Sequence, residues 1–180
     1  MNSLKIKLVV VILGLTAISC NGQTKPVAHK GPITWMSFED AVAKSQIEPR
    51  KMFIDVYTDW CGWCKRMDAT TFQDSVIVKY MGEKFYAVKL NAETRDTIHF
   101  FDKLFVYEPE NKTNSLASSL LSNQMSYPSF VMLDEKFNML SPLPGYQTPD
   151  QLMRVVRYFG DNIYLTKKWD DYSRELQGGN

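Results

Sequence analysis

The sequence has little of several residue types, and each shortage excludes a class of protein. Only three cysteines and two histidines occur among its 180 residues. Three cysteines are too few for a small domain that is held together by several disulfides. The formal net charge is +1, so nucleic acid is not an expected partner. The chain has no internal repeat, no long low-complexity tract, and no apolar run of the ~20 residues that a membrane-spanning helix needs.

The N-terminus has the pattern of a secretory signal. Residues 1–19 begin with two lysines and no acidic residue, continue with a short apolar run over 8–18, and end in small residues. A basic head, an apolar body and small residues before a cleavage point are typical of an exported protein. The alternative for this stretch is a buried N-terminal strand or helix.

Cys20 stands where a bacterial lipoprotein carries its lipidated cysteine, although Ala17 occupies the position where leucine is usual. We therefore predict lipidation at Cys20, with ordinary cleavage and a periplasmic or secreted product as the alternative. Residues 20–32 are polar and contain glycine and proline, which predicts a flexible tether. Only Cys61 and Cys64 then remain for the folded part of the chain.

Cys61 and Cys64 are separated by two residues, and they follow an apolar run over 51–57 that predicts a buried strand. A helical pattern begins with them, and this context favours a redox pair. Free N–H groups and the helix dipole favour a thiolate at Cys61, the expected nucleophile. Cys64, one turn further on, is close enough to form a disulfide with it and is the expected resolving thiol.

Two other chemistries for this cysteine pair lack partners in the sequence. A structural zinc site needs about four ligands, and beyond the pair the chain offers only His29 and His99. Haem attachment needs a histidine after the second cysteine, where Lys65 stands. We expect no metal and no cofactor beyond the dithiol itself.

Asp55 is the anomaly within the predicted buried strand. A buried carboxylate costs free energy unless it is neutral, hydrated or paired, and burial raises its pKa. We therefore predict Asp55 as the proton acceptor for Cys64, directly or through water; the alternative is a solvent-facing aspartate at a strand end. Lys89 ends the next predicted strand and is expected near Asp55, where it would influence the charge state of the Asp55 carboxyl group. The alternative is a plain surface lysine.

Strands and helices alternate up to residue 91, and a hairpin and a helix follow after residue 128. This order predicts an α/β fold, a central mixed sheet with helices on both faces. Within it, Ser37 is expected to cap a helix whose apolar stripe includes Ile47. Asp74 is expected to cap a second helix with Val76 on its inner face and with Gly82 at its end.

Residues 92–126 form the least regular region. Segments 97–100 and 104–107 predict a β-hairpin, with a single helix as the alternative. Its aromatic residues are more typical of a core than of a substrate cleft; they are Phe100, Phe105 and Tyr107. Asn114 or Ser115 starts a further helix. Residues 161–180 predict a C-terminal amphipathic extension that packs on the domain, with Leu165 and Leu176 among its apolar positions.

Five features in this order resemble the thioredoxin family over residues 33–160. The segment 60–65 matches the family's Trp-Cys-Gly-Pro-Cys-Lys in all but one place. The other features are Asp55, Lys89-Leu90-Asn91, Tyr127-Pro128 and Gly145. The chain is most similar to exported bacterial thioredoxin-like proteins with Trp-Cys-Gly-Trp-Cys-Lys. Three departures are Trp63 in place of proline, the insertion over 92–126, and the C-terminal extension.

The resemblance implies a thioredoxin fold and substrate-binding roles around the cysteines. Pro128 would be cis, so that the backbone beside it pairs with an extended substrate, with Tyr127 and Ser129 flanking; an ordinary strand-entry proline is the alternative. Gly62 lies between the cysteines. Trp60 and Trp63 would offer apolar surface to substrates, with buried packing as the alternative for Trp60.

The function implied is thiol–disulfide exchange in the bacterial cell envelope. The protein would reduce or isomerise protein disulfides and take electrons from a membrane thiol-transfer partner. One alternative is a disulfide oxidase, which needs an unusually stabilised thiolate. Another is a redox-inert thioredoxin scaffold that serves as a binding or chaperone module.

Overall fold

The computed structural model describes residues 32–178, which form a five-stranded mixed sheet flanked by helices and two small two-stranded sheets. The predicted signal over 1–19 and Cys20 lie outside the described residues. The strands are β1 (Trp35–Met36), β2 (Lys51–Tyr57), β3 (Phe85–Asn91), β4 (Ile98–Phe100), β5 (Lys103–Phe105), β6 (Tyr107–Glu108), β7 (Thr113–Asn114), β8 (Ser129–Leu133) and β9 (Met139–Pro144). The helices are α1 (Phe38–Ile47), α2 (Gly62–Ala69), α3 (Ser75–Lys84), α4 (Ser115–Leu120), α5 (Pro149–Gly160) and α6 (Trp169–Gly178).

The large sheet has the strand order β1-β3-β2-β8-β9. Strands β1, β3 and β2 run parallel, while β8 pairs antiparallel with β2 and β9 antiparallel with β8. The predicted mixed sheet with helices on both faces is therefore confirmed. The carboxyl ends of β2 and β3 and the start of β8 meet at one edge, where the cysteine-containing turn leaves β2.

Strand β2 lies in the middle of the sheet and is covered on both faces, as its apolar sequence predicts. Successive side chains of a strand point to opposite faces. Phe53 therefore stacks on Phe130 in one apolar cluster, with ring centroids 5.4 Å apart. Ile54 and Val56 belong to a second cluster on the other face, together with residues of α1 and α4.

The predicted helix starts are present. Ser37 accepts a hydrogen bond from the Asp40 amide at 3.0 Å, and Asp74 caps α3. Thr148 and Gln151 form a reciprocal capping box at the start of α5. Each cap satisfies amide groups that the first helical turn leaves without partners.

Three details of the helices differ from the prediction. Ile47 is 87% exposed because Ser45 takes the inward position of α1 and Ile47 lies about 200° around the helix from it. Val76 is 58% exposed, because the residues of α3 that face the core are Ile77, Val78 and Met81. Gly82 lies inside α3 rather than at its end, because a helical glycine costs only about 1 kcal/mol and packing outweighs that cost.

The region between β3 and β8 contains the predicted hairpin, β4 with β5, rather than a helix. Phe100 and Phe105 pack against the second apolar cluster, and Tyr107 is half-buried in β6. Strand β6 pairs with β7, and Asn114 caps α4 as expected. The inserted residues thus build structure of their own beside the sheet.

The C-terminal helix packs back on the domain through two aromatic residues, Trp169 and Tyr172, which both contact Tyr158 of α5. Tyr172 is buried and stacks on Tyr158 of α5, with centroids 5.3 Å apart. Leu165 and Leu176 were expected to share this packing, but they are 67% and 45% exposed, because Trp169 and Tyr172 occupy the contact with α5. Within residues 32–178, no helix combines the length and the apolar content that crossing a membrane requires.

Candidate active site

Cys61 and Cys64 are joined by a disulfide at the start of α2. Cys61 is the N-cap residue, with an extended backbone, and its Sγ accepts a hydrogen bond from the Cys64 amide at 3.0 Å. Only 4% of Cys61 and 2% of Cys64 are exposed. Once the disulfide is reduced, the same amide and the positive end of the helix dipole face the Cys61 sulfur and favour its thiolate.

Asp55 is buried in β2, the strand that leads into the cysteine-containing turn, at 1% exposure, so it is not a solvent-facing aspartate. Its Oδ2 lies 2.8 Å from the Nζ of Lys89, while its Oδ1 has no hydrogen-bond partner among the described residues. Burial raises the pKa of Asp55 to about 6, and the neighbouring Lys89 lowers it only in part. The carboxyl group can therefore exchange a proton close to neutral pH.

Lys89 is not a plain surface lysine, because its side chain is only 20% exposed and its Nζ contacts two carboxylates. The second carboxylate is Asp68 of α2. Burial lowers the pKa of Lys89, but the two carboxylates outweigh it and the pKa is raised, so the side chain stays an ammonium. Three aromatic rings also surround the Nζ, with centroids 4.9–5.6 Å away: Trp35, Tyr57 and Phe72.

The loop before β8 lies at the same edge of the sheet, because Ser129 pairs with Val56 near the end of β2. The Tyr127–Pro128 peptide bond is cis. The carbonyl of Pro128 accepts a hydrogen bond from the Gly145 amide at 2.8 Å, so it is not free for a substrate. The backbone N–H and C=O of Tyr127, in contrast, make no hydrogen bond within residues 32–178. The Ser129 hydroxyl is also occupied, since it donates to the carbonyl of Ser126 at 2.6 Å.

Two exposed tryptophans flank the disulfide, each packed against a tyrosine. Trp60 is 66% exposed and meets Tyr127 edge-on, with centroids 5.8 Å apart; its buried packing is thus excluded. Trp63 is 62% exposed and lies 5.3 Å from the ring of Tyr146. Gly62 lies between them in open space, because a Cβ at this position would meet no atom within 4 Å.

Three residues near the site were not anticipated. Asp68 could have been found, because it follows Cys64 by four positions and so lies on the same helix face. Glu93, which accepts a hydrogen bond from the Trp60 indole, and Tyr146 meet the tryptophans only through the tertiary fold. Their positions in the sequence carry no local signal of that contact.

The chemistry available here is that of a sulfur pair. Within the described part of the chain, no three His, Cys, Asp or Glu side chains are grouped so that they could hold a metal ion. Two sulfurs that share one bond can accept two electrons and become two thiols. The strand that leads to them carries a carboxyl group with a pKa of about 6, and the backbone of Tyr127 at the same edge of the sheet has no hydrogen-bond partner among the described residues.

The model of a family described as Thioredox_DsbH, a protein of unknown function, DUF255, matches residues 25–129. The chain belongs to this Thioredox_DsbH family. Spermatogenesis-associated protein 20 of Homo sapiens is 29% identical over 76 residues, 42% of this chain and 9% of that protein. Uncharacterized protein B0495.5 of Caenorhabditis elegans is 28% identical over 76 residues, 42% of this chain and 10% of that protein. The chain spans about a tenth of the length of these curated relatives.

Solved structures similar to this Thioredox_DsbH member share its fold. A thioredoxin-fold protein from Helicobacter pylori matches with a TM-score of 0.56 at 22% identity, over 72% of this chain and 81% of that one. A DsbH oxidoreductase matches with a TM-score of 0.52 at 17% identity, over 74% and 88%. A putative disulphide-isomerase from Bacteroides thetaiotaomicron gives 0.51 at 22%, over 70% and 92%. The predicted thioredoxin fold is confirmed.

Proposed function

We propose that the protein is a thiol–disulfide oxidoreductase that reduces or isomerises protein disulfides through the dithiol of Cys61 and Cys64. The observation that carries the proposal is the Cys61–Cys64 disulfide at the start of α2, in one fold with a buried Asp55. No cofactor beyond this sulfur pair is proposed. Two structures of the same fold, a DsbH oxidoreductase and a putative disulphide-isomerase, support this proposal.

The reaction begins with the reduced protein. The Cys61 thiolate attacks one sulfur of the substrate disulfide, which forms a mixed disulfide and releases the first substrate thiolate. Asp55 takes the proton of the Cys64 thiol, and the Cys64 thiolate attacks the Cys61 sulfur. The Cys61–Cys64 disulfide forms and the second substrate thiolate leaves. Two electrons pass to the substrate, and protons from Asp55 and from water complete its two thiols.

The raised pKa of Asp55 favours the reducing direction over the oxidase alternative. A group with a pKa of about 6 can accept the Cys64 proton at neutral pH and then release it. An oxidase needs an unusually stabilised Cys61 thiolate, and the dipeptide Gly62-Trp63 provides no histidine for that purpose. A membrane thiol-transfer protein is the proposed electron donor that reduces the disulfide again.

We place this activity in the bacterial cell envelope, with the protein lipid-anchored through Cys20. The support is the sequence pattern of residues 1–19, which has the basic head and apolar body of an export signal. Mass spectrometry of the mature N-terminus in a bacterial host tests this point. A diacylglycerol-modified Cys20 is expected, while an unprocessed Met1 would contradict export.

Cys64→Ser tests the proposed reaction directly. This variant can form the mixed disulfide through Cys61 but cannot resolve it, so covalent adducts with disulfide-containing proteins should accumulate. Cys61→Ser is the matched control and should form none. The wild type should also reduce the disulfides of insulin with dithiothreitol as electron source. If no adduct forms and insulin is not reduced, the protein is a redox-inert scaffold instead.

A further inference from the structure

The ammonium of Lys89 is shared between two carboxylates that differ in burial. Its Nζ contacts Oδ2 of Asp55, whose side chain is 1% exposed, and Oδ1 of Asp68, whose side chain is 46% exposed. We propose that Asp68 is a positioning residue for the resolving step: it shares the Lys89 ammonium and so keeps Asp55 able to accept a proton. This inference rests on the proposed function and adds to it a residue that acts through Lys89.

The place of Asp68 on α2 connects it to the resolving thiol. Asp68 follows Cys64 by four positions, so the two side chains lie on the same face of the helix. The contact between Asp68 and Lys89 links this helix to strand β3, and Lys89 is in turn paired with Asp55 of β2. Three elements of the fold, α2, β2 and β3, therefore meet at one ammonium group.

The contacts of Lys89 leave one oxygen of Asp55 free. Two of the three N–H groups of the ammonium can point at the two carboxylates, and three aromatic rings enclose its other side, with centroids 4.9–5.6 Å from Nζ. The contact with Asp55 is made through Oδ2, while Oδ1 is buried without a hydrogen-bond partner among the described residues. Oδ1 is therefore the oxygen that can accept the proton of Cys64.

Asp68 also offsets the ammonium electrostatically. A cation beside a carboxyl group favours its charged form and lowers its pKa, whereas a second carboxylate favours the neutral form and raises the pKa. Lys89 of β3 accordingly lowers the pKa of Asp55, and Asp68 of α2 raises it. Tyr57 of β2 also interacts with Asp55, but it stays neutral at pH 7 because its pKa is raised above the ordinary value of 10. In the reduced protein, the Cys61 thiolate adds a negative charge at the start of α2. Without Asp68, the ammonium would act on Asp55 alone and make it a weaker base.

The symmetric disulfide of thionitrobenzoate makes the resolving step measurable. The Cys61 thiolate of the reduced protein attacks this reagent, forms a mixed disulfide and releases one thionitrobenzoate anion. The Cys64 thiol then gives its proton to Asp55, and its thiolate attacks the Cys61 sulfur and releases the second anion. Two electrons pass from the dithiol to the reagent. The second phase of release does not depend on the reagent concentration, and its rate is that of the resolving step.

Asp68→Asn should slow the second phase by about threefold to tenfold at pH 7, because a weaker base removes the Cys64 proton less readily. The first phase should not slow, since it does not involve that proton. The rate of the second phase should rise with pH as Asp55 ionises, and the midpoint of this rise should lie at a lower pH in Asp68→Asn than in the wild type. A merely structural role of Asp68 would lower the rate at every pH and leave the midpoint in place.

Two further variants are the controls. Asp68→Glu keeps a carboxylate at a half-exposed position and should retain most of the wild-type rate and the wild-type midpoint. Glu110→Gln removes a negative charge elsewhere and should behave as the wild type, because Glu110 is exposed and makes no hydrogen bond or ion pair among the described residues.

A second readout does not depend on activity. The infrared band of the protonated Asp55 carboxyl group, assigned by its loss in Asp55→Asn, can be titrated in the disulfide form, in which the cysteines do not ionise. The band should fade around pH 6 in the wild type and at a lower pH in Asp68→Asn. Equal midpoints in the two proteins overturn the inference while the proposed function stands, and so does a shifted midpoint without a slower second phase. A wild type that releases no second anion overturns both.

Discussion

Lys89 and Asp55 lie directly opposite one another on neighbouring parallel strands, with Nζ 2.8 Å from Oδ2. The ion pair does not bring the carboxyl group back to its ordinary titration range, since the pKa of Asp55 is about 6. The effect of burial on the pKa of Asp55 is therefore larger than the opposite effect of the Lys89 ammonium. Asp68 contributes to this outcome, because it contacts the same ammonium and its negative charge raises the pKa of Asp55 further.

The ionised form of Asp55 should destabilise the fold, and Asp55→Asn should remove this destabilisation. The folded pKa of about 6 lies above the ordinary value of 3.8, so the favourable contribution of Asp55 is complete below pH 3.8 and is lost as the pH rises through 6. That difference corresponds to about 3 kcal/mol. Asp55→Asn should be more stable than the wild type by up to about this amount at pH 8, with little difference at pH 3.5.

Urea unfolding of the disulfide form at the two pH values measures this prediction. Asp102→Asn is the matched control, because Asp102 is exposed in the turn between β4 and β5 and makes no hydrogen bond or ion pair among the described residues. The control should show no such pH dependence. A gain in stability that is equal at both pH values would contradict a raised pKa for Asp55.

The same substitution should slow catalysis at one step. Asp55→Asn cannot accept the proton of Cys64, while attack by Cys61 on the substrate does not involve that proton. Release of the substrate from the mixed disulfide should therefore slow by about a hundredfold at pH 7, the lower end of general-base effects, and the first step should change little. Acid-quenched mass spectrometry follows the mixed disulfide, which should accumulate in the variant and not in Asp102→Asn. Equal slowing of both steps would argue for a structural effect.

Sequence reasoning succeeded where the signal is local and failed where it depends on tertiary packing. The buried carboxylate of Asp55 could be predicted because a charged residue interrupts an otherwise apolar strand. The starts of α1 and α3 could be predicted because Ser37 and Asp74 are local capping signals. Glu93 could not, since it meets Trp60 from 33 positions away, across the end of the sheet. The exposure of Ile47 could not either, because one apolar residue near a helix end does not fix which face is inward.

Gly160 should not tolerate a larger residue, although it lies at the end of α5. A Cβ at this position would lie 2.7 Å from the hydroxyl oxygen of Tyr80 and 3.1 Å from a ring carbon of Phe85. We expect Gly160→Ala to lower the free energy of unfolding by about 1–2 kcal/mol, since overpacking exceeds the gain in helix propensity. Gly178→Ala is the control, because nothing lies within 4 Å of its added carbon. Thermal unfolding of both variants makes the comparison, and equal melting temperatures would contradict the clash.

Trp63 occupies the position where thioredoxins carry proline, and the local geometry should accept that proline. Trp63 is the second residue of α2, and its amide makes no hydrogen bond within residues 32–178. Proline in a first helical turn removes an amide that has no partner there, so Trp63→Pro should change stability by less than about 1 kcal/mol. Arg66→Pro, in the interior of the same helix, should cost about 3 kcal/mol or more.

Trp63→Pro should change substrate binding although it leaves the fold intact. Trp63→Pro removes the exposed ring that packs on Tyr146, so it should weaken the binding of protein substrates while small disulfides react almost as before. Insulin reduction and release of thionitrobenzoate from its symmetric disulfide separate these effects, and urea unfolding reports the stability. A loss of stability in Trp63→Pro as large as that in Arg66→Pro would show that the tryptophan is needed for the helix start. An equal loss with both substrates would show instead that residue 63 acts on the sulfur chemistry, because a surface used only for protein binding has no contact with a small disulfide.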